Sequence, residues 1–355
     1  MNARILKYCS ILTGPLVGIV SLTQYGLWTW ALPLYAFALV PLVEFLSKGS
    51  EKNMSEAEEE AAKSDPWYDY LLYFMVPLQY VMMAVFLFYI IEPELTWFEI
   101  TGKVLAFGIS CAALGINVGH ELGHRATRHE RFMAKTLLLS TLYMHFIIEH
   151  NRGHHKRVAT NEDPASAKYG EIIYLFWFKS VIFGFISAWK LEAARLKKNG
   201  KPFFSIHNEM IRFQFIQLLL VGSIYAIFGL KATVCFMICA LIGILVLETI
   251  NYIEHYGLRR KKTGENTYER TLPIHSWNSN HPFGRIMLFE LTRHSDHHYK
   301  ASRKYQILRH FDEAPLMPTG YPGMMMLSLI PPLWFYVMHS HIEKCRKIMP
   351  LATSA

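Results

Sequence analysis

The sequence predicts an all-α integral membrane protein: six transmembrane helices carrying a histidine-rich cap on one side of the bilayer. Three observations predict it. Hydrophobic residues make up 52% of the 355 positions and charged residues only 18%. The apolar residues fall in long uncharged runs, and many of the 17 histidines gather where those runs end. No charged side chain occurs from Tyr8 to Val43, Tyr70 to Ile91, Val104 to Gly119, Phe213 to Leu230 or Ala232 to Leu247. A bilayer core takes about 20 apolar residues as helix. The first run is therefore long enough for two spans and each of the others for one.

Taken in order, the expected spans cover residues 9–26, 28–46, 69–91, 101–119, 211–230 and 232–253 of a single domain, 1–355. The cap is expected from 120–210 and 254–355. Arg4 and Lys7 ahead of an apolar stretch resemble a signal peptide, but no small-residue cleavage site ends a short apolar core. The N-terminal run reads instead as a retained hairpin turning near Gln24–Trp28. Ser47–Pro66, rich in Glu, Lys and Ser, reads as a solvated loop or short surface helix. Thr136–Ile148 and Ser180–Trp189 are apolar but too short to cross, so they are expected to lie in the interface. Tyr321–Met338 is long enough to span, but Pro331 and Pro332 interrupt it, which leaves spanning and re-entrant forms both open.

A formal charge of +8 and a pI near 9.1 suit nucleic acid as well as a membrane surface. In a multi-span chain the cationic excess belongs on the cytoplasmic side, so no nucleic-acid partner is expected. The loops Gln24–Trp28 and Glu92–Glu99 contain neither Lys nor Arg, whereas the segment between spans four and five is crowded with both. That asymmetry puts the basic regions and both termini in the cytoplasm. The five cysteines form no CxxC pair and read as small core residues rather than a disulfide or thiolate site.

The histidine spacing carries the chemistry. The fourth span ends in His120-Glu-Leu-Gly-His124; Glu149-His150-Asn-Arg-Gly-His154-His155 follows. The sixth ends in Glu254-His255, and Arg293-His294-Ser-Asp-His297-His298 comes last. Residues three or four apart share a helix face, so His120 with His124, His150 with His154, and His294 with His297 or His298 can each reach one ion. The second member of each adjacent pair points elsewhere, and nine imidazoles exceed what one ion takes. His129, His145, His207, His275, His281, His310, His339 and His341 are scattered and read as structural or interfacial. Spacing does not choose the metal, since imidazole suits iron, copper, zinc and nickel. His120-Glu-Leu-Gly-His124 also matches the HExxH spacing of zinc proteases, but that motif accounts for only two of the nine clustered histidines. Crossing parity brings all nine to one side: His120 follows four spans and His255 follows six. A metal transporter would place ionisable ligands inside its spans, whereas here they sit at span ends and in loops.

These motifs resemble those of known membrane enzymes. His120–His124, His150–His155 and His294–His298 are similar to the three histidine motifs of membrane fatty-acid desaturases and hydroxylases. Asn251–Leu258, Arg293–His298, Tyr305–Pro315 and Leu316–Tyr321 resemble the narrower signature of bacterial alkane 1-monooxygenases. The resemblance, from about Pro66 to Trp334, implies a six-helix membrane fold and two non-haem irons held by the nine histidines. It also implies terminal hydroxylation of medium-to-long alkanes by dioxygen in the bacterial inner membrane, with termini and active site facing the cytoplasm. The implied electron donor is rubredoxin, reduced by a rubredoxin reductase. With no CxxC pair in this chain, the donor is expected to be a separate protein. A xylene-type methyl hydroxylase and an acyl-lipid desaturase with the same metal centre are the alternatives.

Carboxylates beside ligands commonly accept the outer imidazole N–H, which nominates Glu121, Glu149, Glu254, Asp296 and Asp312. Exposed cations close to the ligands, above all Lys300, Arg303 and Lys304, with Arg259, Arg260, Lys261 and Lys262 nearby, are expected to receive the acidic donor.

Overall fold

A computed structural model describes residues 4–265 and 267–348; the extreme termini, whose side of the membrane the charge pattern predicts, lie outside the described residues. The N-terminal hairpin is formed by α1 (Arg4–Thr23) and α2 (Gly26–Leu46), so the chain turns within the expected segment. A surface helix, α3 (Glu56–Ser64), follows, capped by Ser55 and Glu58. Two long helices come next, α4 (Trp67–Ile90) and α5 (Trp97–Gly123). Thr96 and Glu99 form a reciprocal cap at the start of α5, which satisfies backbone N–H groups that would otherwise be orphaned.

The fifth and sixth expected spans are continuous with each other as α9 (Glu209–His255), broken only at Gly229 (φ 77°, ψ −176°). That left-handed conformation favours glycine, and it reverses the chain without a loop. The returning half packs closely on α5: a Cβ at Gly243 would stand 2.7 Å from Cys111 Cβ and 3.3 Å from backbone of Cys111 and Ala112. This close approach sets the ends bearing His120 and His255 side by side. Buried side-chain bonds add to the packing. Ser110 donates to Gln79 (2.8 Å) and Gln79 to Ser140 (3.2 Å), each worth roughly 0.6–2 kcal/mol within a bundle.

Two expectations change here, and a choice left open at Tyr321–Met338 is narrowed. Thr136–Ile148 is not one helix: α6 (Arg128–Leu139) ends, a buried turn follows, and the next helix, α7 (146–157), begins at Phe146. Leu142 takes a positive φ of 53° in that turn. Instead of lying in the interface, the segment packs under the histidines.

Ser180–Trp189 belongs to a 26-residue helix, α8 (Ile173–Lys198), long enough to cross a membrane by length and composition. Its two ends are tied to the same end of the bundle. Tyr252, one turn before His255, donates to Glu171 O (2.6 Å), and Glu192 accepts from Glu209 N (2.8 Å) and Arg152 (3.0 Å). The helix lies along that end instead of traversing the bundle, so the crossing parity survives.

The segment Tyr321–Met338 resolves into α12 (Tyr321–Ser328) and α13 (Pro331–Ile348), after two short cap helices, α10 (Pro282–Met287) and α11 (His294–Tyr299). His341 bonds to Leu316 O at 2.7 Å. The chain therefore comes back to the level at which it left, as a re-entrant hairpin.

Outside the helices, the pairing of Lys262–Gly264 with Thr267–Tyr268 makes a small antiparallel ribbon. The acidic linker after α2 clamps the cap, since Ser50 O and Lys52 O accept from Arg293 and Asn53 bonds to His310 N.

Candidate metal centre

The nine clustered histidines meet in two adjacent groups: His120, His124, His150, His155 and His297 in one, His154, His255, His294 and His298 in the other. Helical winding explains the division. His120 and His124 are four apart at the end of α5 and stay together. The turn His150–His154 is wound as a π-helix, with the His155 N–H bonded to His150 O. Such wider turns are frequent at functional sites. This winding brings His155 onto the face of His150 and sends His154 to the second group, so the expected His150–His154 pair is replaced by His150–His155. On α11, His294 and His298 stay together and His297 joins the five.

In the first group the Nε2 atoms form a closed ring. The successive separations are 3.1 Å (His120–His124), 3.2 Å (His124–His150), 2.9 Å (His150–His155), 3.1 Å (His155–His297) and 3.0 Å (His297–His120). These cannot all be hydrogen bonds. A neutral imidazole nitrogen either donates or accepts, and around an odd ring donors and acceptors cannot alternate. Two nitrogens about 2.1 Å from one ion at right angles lie about 3.0 Å apart. The spacing is that of lone pairs converging on a metal.

The second group has His154–His298 at 3.2 Å and His294–His255 at 3.3 Å. Burial, together with the neighbouring imidazoles, pushes His150, His155, His294, His297 and His298 well below the ordinary histidine value. They are therefore neutral, the form that binds metal.

The carboxylates sort differently from expectation. Glu254 does meet a ligand, but at the inward Nε2 of His294 (3.1 Å), while its other oxygen accepts from Tyr321 (2.9 Å). Glu121 pairs with Arg125 and accepts from Tyr305 N, and Glu149 pairs with Arg157 and Ser187. Asp296 holds Arg303 and Arg309. These three are buried braces around the ligands. Asp312 is a clear miss: its side chain is fully exposed and faces His310, because the chain carries it away from the cluster.

The carboxylate that accepts from an outer ring nitrogen is Asp163, 2.9 Å from His154 Nδ1 and 2.5 Å from Ser166 Oγ. It sits in Asn161-Glu162-Asp163-Pro164, which looks like any polar turn, so no sequence signal singled it out. Burial opposes its charge, but His154 and Ser166 outweigh burial and hold its carboxyl down at about 2. Since the ordinary value is about 3.9, the bond is fully present above that and is lost as pH falls toward about 2. Asp163→Asn is expected to weaken metal binding about 10–100-fold, read by chelator competition. Unchanged affinity would make Asp163 merely a turn residue.

Of the proposed donor-facing cations, Arg303 pairs with Glu59 and Asp296, and Lys304 with Asp69 (2.6 Å). Arg259 is buried, whereas Lys300, Lys261 and Lys262 are exposed. None of the eight scattered histidines joins either metal group.

The fatty acid desaturase family matches residues 95–328, a stretch that contains all nine histidines. The alkane 1-monooxygenase of Acinetobacter baylyi is 41% identical over 314 residues, 87% of this chain and 76% of that protein. The chain belongs to the alkane 1-monooxygenase family. Alkane 1-monooxygenase 1 of Pseudomonas aeruginosa is likewise 41% identical, over 89% of this chain and 83% of the relative. The xylene/toluene monooxygenase hydroxylase component of Pseudomonas putida is more distant, at 26% over 93% of this chain. Membership makes the protein a membrane monooxygenase, an oxidoreductase whose histidine groups fit a metal.

One further feature of this alkane monooxygenase family member was not visible in the sequence. An apolar cavity of ≈ 140 Å³ lies directly beneath the cluster. Its wall includes Asn117, one turn before His120, and Ile250, just over one turn before His255. Ala113 and Ile109 continue it along α5, and Ile11, Tyr35 and Met82 reach it from α1, α2 and α4. No charged side chain lines it.

Proposed function

We propose that the two groups hold two non-haem irons and that the protein hydroxylates the terminal methyl of medium-to-long n-alkanes to 1-alkanols. Dioxygen, two protons and two electrons from rubredoxin, itself served by a rubredoxin reductase, complete the stoichiometry, with water as co-product. The observation carrying this reading is the uncharged cavity whose wall reaches Asn117 and Ile250, about one turn from His120 and His255. Iron held there would supply dioxygen binding and reduction.

The protein's own residues do the rest. Ile109 precedes His120 by 11 residues, ~16 Å along a helix rising ~1.5 Å per residue, so the apolar wall runs alongside an extended alkyl chain whose methyl points toward the cluster. The apolar wall excludes water, and its shape rather than any polar contact orients the chain. Asn117 Nδ2 lies 3.4 Å from Leu288 O. An acyl-lipid substrate would need a partner for its polar head, and the wall offers few. We place the histidine end in the cytoplasm of the inner membrane, supported by the lysine and arginine asymmetry.

Gas chromatography of membranes supplied with octane or hexadecane, reductase and rubredoxin tests this. 1-Octanol or 1-hexadecanol is the expected product. Desaturated or subterminal products, or turnover confined to methylarenes, would overturn it.

The donor's approach is also open to test. His124, one of two part-exposed ligands together with His155, lines a basin with Arg128, Arg131, Lys135 and Arg152. Arg128 and Arg131 are exposed and form no ion pair among the described residues. Clustered charge mainly accelerates encounter, and salt weakens the effect. Reversing both to Glu is expected to slow rubredoxin-dependent turnover roughly tenfold and flatten its salt dependence, with metal content unchanged. Reversing Lys300 tests one of the exposed cations outside this basin. Lys304→Glu should instead cost stability, since it breaks the pair with Asp69. A rate indifferent to the Arg128 and Arg131 reversals would move docking elsewhere.

A further inference from the structure

Outside the metal centre, one polar cavity carries charge that the chain does not balance. It measures ≈ 480 Å³ and lies between the strap 157–168, the flank of α8 and the residues that follow His255. Five cationic side chains line it (Arg157, Lys168, Lys179, Lys190 and Arg259) against two carboxylates, Glu162 and Asp163.

Most of these groups are already committed. Arg157 pairs with Glu149 and Lys179 with Glu171, while Asp163 holds His154 and Ser166. Lys168 and Lys190 are exposed and make no ion pair among the described residues. Arg259 is the deciding residue. It is 7% exposed, its Nη1 donates to its own neighbour Leu258 O, and its Nε and Nη2 are buried with no hydrogen-bond partner. Burying a guanidinium without compensation is strongly unfavourable. An orphaned buried donor pair of this kind calls for a missing ion or water.

We propose that this cavity binds a phosphate group, with Arg259 on its floor and Lys168 and Lys190 at its mouth. A guanidinium presents two parallel donors that match phosphate oxygens, and lysines add point charge. The flank of α8 favours a lipid headgroup as the source. Phe183 and Ile186 line the same cavity, and Phe183, Phe178 and Ile182 are exposed beside it, so acyl chains have an apolar surface to lie on. Occupation would also close the strap. Residues 159 and 167 are already bonded to Arg260 and Gly257, and an anion bridging Arg259 to Lys168 would hold Asp163 against His154.

Native mass spectrometry of the full chain in detergent, titrated with phosphatidylglycerol, phosphatidylcholine or inorganic phosphate, tests the site. One phosphatidylglycerol is expected to bind about tenfold more tightly than phosphatidylcholine. Lys168→Glu with Lys190→Glu should lower that binding about tenfold, and Arg259→Met should remove it. Should Arg259→Met fail to fold, the exposed double variant decides. Phosphatidylglycerol binding that is lost in the variants and not displaced by inorganic phosphate identifies a headgroup. Binding of inorganic phosphate alone, equally sensitive to the variants, identifies a free anion in the same site. Lipid and phosphate binding unchanged in both variants, or absent in the wild type, overturns the proposal.

Discussion

Replacing His150 by alanine is expected to abolish hydroxylation and to lower metal content by about half, while the protein still inserts and remains folded. His150 Nε2 stands between His124 (3.2 Å) and His155 (2.9 Å) in the five-membered ring, so its loss opens the ring on two sides. The four-histidine group keeps all its nitrogens. His255→Ala or His294→Ala should do the reverse, emptying the second group first. The helices rest on burial of apolar faces and on buried bonds such as Gln79 to Ser110, not on the metal, which is why insertion should survive.

A control separates ligation from packing. His145 is equally buried, beside Tyr143 and Phe185, but belongs to neither group; His145→Ala should leave metal content unchanged. Metal analysis and product assay on the same membranes check all of these. Full activity with undiminished metal in His150→Ala would end the reading of the five-histidine group as a metal site.

Ala113→Phe is expected to cut hexadecane turnover by at least about tenfold and to change octane turnover much less. Ala113 lines the cavity seven residues before His120, ~10 Å away along the helix. A bulky ring there divides the cavity, leaving the portion next to the histidines open to a short chain. Overpacking an apolar wall costs about 1–3 kcal/mol, and 1.4 kcal/mol is about tenfold in rate. The comparison of chain lengths is the readout that a simple folding defect would not reproduce, since a defect lowers both rates together. Equal loss for octane and hexadecane, or loss for neither, would remove the substrate from this cavity.

Which features could be read from the sequence follows from how local their causes are. Membrane spans depend on contiguous hydropathy, so the six expected segments recur as helices, with ends shifted by a few residues. The histidine set was legible for the same reason: i, i+4 spacing and adjacency to span ends are properties of short segments. The length of α8 was not legible, because Lys179 and Lys190 interrupt the apolar run, yet Lys179 is neutralised by Glu171 (2.7 Å) and Lys190 faces outward. That the helix lies along one end of the bundle depends on Tyr252 and Glu209, far away in the chain.

The sequence by itself determined an all-helical membrane protein with nine histidines gathered at one end. Only the tertiary structure decided how they divide five and four, because the π-wound turn at His150–His154 departs from the regular helix that spacing assumes. Only the fold brought Asp163 to His154, Glu254 to the inner nitrogen of His294 and Asp69 to Lys304, and carried Asp312 out to solvent. It also opened the apolar cavity between helices distant in sequence. These outcomes are set by long-range packing, and a carboxylate's neighbours in sequence do not reveal which side chain will stand opposite it.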